Sequence, residues 1–252
     1  CFTKSYMNKE NKFLSQLLDL EISGKDSISA PSNWTTKPLL NIETEINKTI
    51  SEVVPSLITK DNPDKEGIWW FLVGSPGNGK SAAVGSLVRT LQEENSAIFR
   101  ECKEDQTLGK KISEFKPNEL PYEMELYEDG NEKFSSALFA QDASVLPNPY
   151  DPSPDTGKAL IDLLKKASNK GKSVVVCANR GIIERALQHK DEDTKAEWYV
   201  ALKAVHENKT DLSPRTFNSV SGKPAFKTFK IKVTPLDEKS IIADTTFKRL
   251  LI

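Results

Sequence analysis

The sequence predicts an α/β fold built on a parallel sheet, and three observations carry that prediction. Ile68 to Val73 (IWWFLV) is an unbroken apolar run of strand length, as a strand covered on both faces requires. It leads directly into Gly74-Ser75-Pro76-Gly77-Asn78-Gly79-Lys80-Ser81, which matches the phosphate-binding pattern G-x-x-x-x-G-K-[ST]. Lys80 to Glu94 follows with Val84, Leu87, Val88 and Leu91 at helical spacing, and a second buried-type strand runs from Ser173 to Ala178.

The residue types in the loop suit one chemistry. Glycines let backbone amides turn inward and approach a polyphosphate closely. The following helix N-terminus adds orphan N–H groups and partial positive charge. The candidate nucleotide-binding set is Gly74, Ser75, Pro76, Gly77, Asn78, Gly79, Lys80, Ser81 and Ala82. Lys80 is expected to reach the β- and γ-phosphates of ATP, and the Ser81 hydroxyl to ligate Mg²⁺.

Composition narrows the class. The chain has 252 residues, with 35 basic against 36 acidic side chains, so charge does not indicate a nucleic-acid partner. No apolar run approaches membrane-spanning length and no signal peptide is visible. Cys1, Cys102 and Cys177 form no metal-ligand spacing and read as reduced thiols, which favours the cytoplasm. The expected organisation is an N-terminal helical extension over 1–66, a nucleotide-binding domain over 67–236, and the start of a truncated helical tail over 237–252.

In the extension, Phe13, Leu17, Leu18 and Leu20 suggest a short amphipathic helix, and Asp26 to Pro38 reads as loop. Leu39 to Ile58 reads as a second helix with Ile42, Ile46, Ile50, Val53 and Val54 on one face. Beyond the loop helix, Ala97 to Cys102 is a short strand, 103–122 is charged and irregular, and Tyr122 to Tyr127 is a strand closed by an Asp129-Gly130 turn.

Ser136 to Ala140 is an apolar strand that ends at Asp142, a residue placed either to hold Mg²⁺ opposite Ser81 or merely to end the strand. Leu146 to Pro154 carries four prolines and is loop. Asp155 or Thr156 caps a helix running to Asn169 and closed near Gly171. Asn179 follows the Ser173–Ala178 strand. It is expected to orient an attacking water, to cap the helix Ile182 to His189, or both. Trp198, Leu202 and Val205 mark a further helix, 209–224 reads as polar loop, and Phe226 to Val233 alternates like an edge strand before Pro235-Leu236-Asp237.

Over Ile68 to Leu236 these motifs and their order resemble an AAA+ ATPase base domain. The parts are the loop at Gly74 to Ser81, a Walker-B-like strand ending at Asp142, a sensor-1-like strand ending at Asn179, and a last strand reaching the family's lid junction at Pro235-Leu236-Asp237. The resemblance implies a five-stranded parallel sheet in the order 5-1-4-3-2 with helices on both faces. It implies a homo-oligomeric ring or filament with ATP and Mg²⁺ bound between subunits, and a protein partner. It also implies an arginine reaching the neighbour's γ-phosphate, for which Arg215 is the first candidate, with Arg180 and Arg185 behind it.

One departure stands out. The family's Asp-Glu pair is Asp142-Ala143 here, so the water-activating carboxylate must come from elsewhere, with Glu101 the candidate, or hydrolysis is slow. The stretches 141–144 and 177–181 are similar to divergent prokaryotic AAA+ proteins of anti-phage defence. Two readings follow: an ATP-hydrolysing switch or motor, and a nucleotide-binding scaffold with little hydrolysis. A nucleotide kinase would need an arginine-rich acceptor lid, and no such cluster is visible.

Overall fold

The computed structural model describes residues 45–60, 62, 64–75, 78–103, 108–115, 123–128, 131–140, 142–143, 155–189, 195–218 and 220–237. The helix expected near Phe13 and the Asp129-Gly130 turn lie outside them. Strands β1 (Gly67–Val73), β2 (Ile98–Glu101), β3 (Glu123–Glu128), β4 (Asn131–Ala140), β5 (Ser173–Ala178), β6 (Asp211–Thr216) and β7 (Thr228–Pro235) form one sheet. Its order is β2-β3-β4-β5-β1-β7-β6. The helices are α1 (Glu45–Val53), α2 (Lys80–Asn95), α3 (Thr156–Lys170), α4 (Arg180–Leu187) and α5 (Glu197–His206).

The expectation of five parallel strands in the order 5-1-4-3-2 is overturned, because the sheet is mixed and has seven strands. β4, β5, β1 and β7 are parallel neighbours. β3 pairs antiparallel with both β2 and β4, and β6 pairs antiparallel with β7. The cause is local. Only two residues separate Glu128 from Asn131, a connection that permits a hairpin and no parallel crossover. β3 therefore takes the outer edge of β4 and moves β2 one place outward. β6 (DLSPRT) reads as a polar loop because most of it is exposed; its Pro214 is tolerated where one edge has no strand to pair with.

β1 is buried at every position because helices cover both faces. Trp69, Phe71 and Val73 pack with α3, α4 and α5. Ile68, Trp70 and Leu72 pack with α1 and α2. Each buried indole finds an acceptor, as such groups must. Trp69 Nε1 donates to the Lys172 carbonyl at 3.0 Å and Trp70 Nε1 to Thr234 Oγ1 at 2.9 Å. Trp69, Phe229 and Phe217 form a continuous aromatic contact, with centroids 4.6 and 4.5 Å apart along the chain of rings.

Sequence signals set the helix ends. Asp155 accepts the Lys158 N–H at 3.1 Å as the N-cap of α3. Gly171 closes the helix at φ +56°, where a Cβ would lie 2.4 Å from Pro224 Cβ and 2.8 Å from the Phe226 carbonyl oxygen. Beneath α3, β3 buries Glu125 against the Lys172 ammonium at 3.0 Å, with the Tyr127 hydroxyl donating to its second oxygen. Among the described residues, no helix is long and apolar enough to cross a membrane.

Candidate functional site

Three neighbouring parallel strands end at one place. Val73 of β1 stands opposite Ala178 of β5, and Ala140 of β4 opposite Val176. The residues that follow are Gly74, Asn179 and Asp142, so the register delivers a glycine loop, an amide and a carboxylate to the same sheet end. Ligands of open α/β sheets bind at this end of their strands.

The loop is tied to the sheet and then bends into α2. The Gly74 N–H donates to the Ala178 carbonyl at 3.3 Å, and the Asn78 N–H to the Ser75 carbonyl at 3.3 Å. Gly79 sits at φ +77° as the N-cap of α2, a conformation that favours glycine and brings no side-chain acceptor to the helix amides. Half-buried Lys80 donates from Nζ to the carbonyls of Gly74 and Ser75, both at 2.7 Å. Ser81 and Ala82 lie in the first turn of α2. Pro76 and Gly77 lie outside the described residues.

Asp142 is half-buried just beyond β4. Cys177, in β5, registers both charges of the site. Burial pushes its thiol up, the Lys80 ammonium pulls it down and the Asp142 carboxylate pushes it up again. Asn179 is the N-cap of α4; its Oδ1 accepts the Ile182 N–H at 3.0 Å. That bond leaves the Nδ2 group as a donor.

Sequence reasoning missed Asp237 as a site residue. β7 runs parallel to β1 with Pro235 opposite Val73. The Leu236 N–H then donates to the Val73 carbonyl at 2.7 Å. This brings Asp237 over the loop, where Oδ1 accepts the Ser75 N–H at 2.7 Å and also the Asn78 side-chain amide. Its other oxygen lies 3.9 Å from Arg180 Nε, and Arg180 Nη1 donates to Asn208 Oδ1 at 3.2 Å. The Ser75 amide foremost, with Arg180 and Lys80 adding to it, holds the Asp237 carboxyl below the usual range. A sequence signal existed only in the parallel pairing of β7 with β1.

Two candidates stand elsewhere. Glu101 ends β2, four strand spacings from β1, or roughly 19 Å across the sheet. Arg215 lies on β6 opposite Phe229, which in turn faces Gly67 at the start of β1. That is roughly 23 Å down the strand from Gly74, and Arg215 pairs there with Asp211. Only a neighbouring copy could bring Arg215 to a nucleotide. A groove of about 620 Å³ opens beside it, lined by Lys203, Glu207, Asp211 and Leu212 among others; it is remote from the glycine loop.

The donor set fits a polyphosphate: inward-turning loop amides, an unblocked helix N-terminus and an ammonium group. Among the described residues, no group of three or more His, Cys, Asp or Glu side chains could hold a metal by itself. A Mg²⁺ bound with nucleotide asks less, since phosphate oxygens and waters fill most of its shell. Ser81 and Asp142 are the residues positioned to supply the rest. No family model, curated protein or solved structure matches this chain.

Proposed function

We propose that the chain binds ATP on Gly74 to Ala82 and hydrolyses it. Mg²⁺ would be held by the triphosphate, Ser81 and Asp142. Nucleotide state would then govern homo-oligomer assembly or action on a protein partner in the cytoplasm. The observation that carries this reading is the convergence of the glycine loop, Asp142 and Asn179 at adjacent parallel strand ends. Lys80 would leave its two loop carbonyls for the β- and γ-phosphates, Asp142 would fix the metal, and the free Nδ2 of Asn179 would orient water or a γ-phosphate oxygen. The order of the motifs favours the AAA+ branch of P-loop ATPases. A role in prokaryotic antiviral defence belongs to the same proposal.

A second reading, a nucleotide-binding scaffold with little turnover, has an observation of its own. Ala143 is buried and carries no carboxylate, and Glu101 lies far across the sheet. Binding of fluorescent ATP and release of phosphate, measured on the wild type and on Lys80→Ala, test both readings. Lys80→Ala should lose binding while its circular dichroism and unfolding midpoint stay close to wild type, because Lys80 is half-exposed. Unchanged affinity in that variant would refute the nucleotide reading. Wild-type binding without phosphate release would favour the scaffold.

A further inference from the structure

We infer that Asp237 is an internal competitor for phosphate at the glycine loop, so that its docked position and a bound nucleotide exclude one another. This regulatory inference rests on the nucleotide reading of the site. The carboxylate already has what a phosphate oxygen would look for there. Oδ1 takes the Ser75 backbone N–H at 2.7 Å and the Asn78 amide, and Oδ2 faces the Arg180 guanidinium at 3.9 Å. The Ser75 amide has one proton to give, and two anions at that spot would repel in a half-screened environment.

The contact is built by the fold. β7 runs alongside β1 up to Pro235, the Leu236 N–H closes onto the Val73 carbonyl, and Leu236 is half-buried against the core. Asp237 therefore arrives at the loop on a tethered backbone. Gly74 is part of the fit: a Cβ there would stand 3.3 Å from Asp237 Oδ1 and 3.3 Å from Leu236 Cβ.

Two consequences follow. A nucleotide must displace the carboxylate, so its apparent affinity is lowered by the fraction of chains in which Asp237 is docked. Arg180, which also holds Asn208 at 3.2 Å, loses its carboxylate partner at that moment and stands beside the incoming phosphate. Arg180 is thereby assigned as a phosphate-facing residue of its own chain.

The test is nucleotide affinity in Asp237→Ala and Asp237→Asn, measured by calorimetry with Mg-ATP and with ADP on the chain as it stands. Both variants should bind about three- to tenfold tighter than wild type, with no more than a small change in unfolding midpoint. Unchanged affinity would overturn the inference. Weaker affinity would also overturn it, because Asp237 would then be a brace for the loop. If neither wild type nor variants bind, and Lys80→Ala is indistinguishable from them, the nucleotide reading fails and the inference falls with it. Tighter binding in the variants that is lost again on adding Lys80→Ala would support both.

Discussion

Replacing Glu125 with Leu should cost far more stability than its place near the sheet edge suggests, and a second substitution should recover much of the loss. The Glu125 and Lys172 side chains are only 8% and 7% exposed and lie 3.0 Å apart. At an effective dielectric constant near 20 their attraction is about 5 kcal/mol. Desolvation of two buried ions offsets most of that, so the pair is worth little against an apolar replacement. Removing Glu125 alone is different, because it leaves the Lys172 ammonium buried without its carboxylate. Such a loss costs about 3–5 kcal/mol. With a urea slope of about 3 kcal/mol/M, the unfolding midpoint should fall by about 1–2 M. Adding Lys172→Met removes the stranded charge and keeps the backbone bond to Trp69 Nε1; it should return at least about 2 kcal/mol.

Acid titration gives an independent readout of the same pair. Burial alone would raise the Glu125 carboxyl, but Lys172 and the Tyr127 hydroxyl overcome it and hold the group below the usual range. The unfolded chain then takes up the proton first as pH falls. Stability from this group is present at neutral pH and is lost as pH drops through the folded value. Glu125→Leu should lack that part of the acid dependence. A cost under about 1 kcal/mol for Glu125→Leu would refute the reasoning, and so would a double variant whose losses simply add.

Asp142→Asn should weaken Mg²⁺-dependent ATP binding roughly tenfold and leave metal-free binding nearly unchanged, as titrations with and without Mg²⁺ would show; equal shifts would make Asp142 a strand-end residue only. Gly171→Ala should lower the melting temperature by about 4–8 °C, from a destabilisation of about 2 kcal/mol. The new methyl group would meet Pro224 and the Phe226 carbonyl at a left-handed backbone position, and an unchanged melting curve would contradict that geometry.

The glycine loop was legible because its residue types are dictated by backbone conformation and charge. Gly79 needs its positive φ, and the apolar run before it needs cover on both faces. Asn179 and Asp142 were legible because each ends an apolar strand. The sheet order was misread where burial and periodicity carry little signal. β3 alternates Glu123, Met124, Glu125 and Leu126, which looks solvent-facing, yet its glutamates lie under α3 among lysines. β6 is exposed and polar, so only its pairing with β7 makes it a strand. Asp237 was invisible as a site residue because its position depends on a neighbour 162 residues away in sequence.

The central place of β1 also fixes when the loop can be made. Its partner contacts arrive late: Ile68 waits for Ser173, 105 residues on, and Trp70 for Thr234, 164 residues on. During synthesis at about 5–20 residues per second, the strand would spend roughly 10–30 s beyond the ribosome before its second neighbour exists. Throughout that interval GIWWFLV has no sheet to enter. Such a segment, apolar on both sides and without an early partner, is a natural client for a chaperone. It also ties the maturation of the glycine loop to near-complete translation, since the strand before it is clamped only when β7 has arrived.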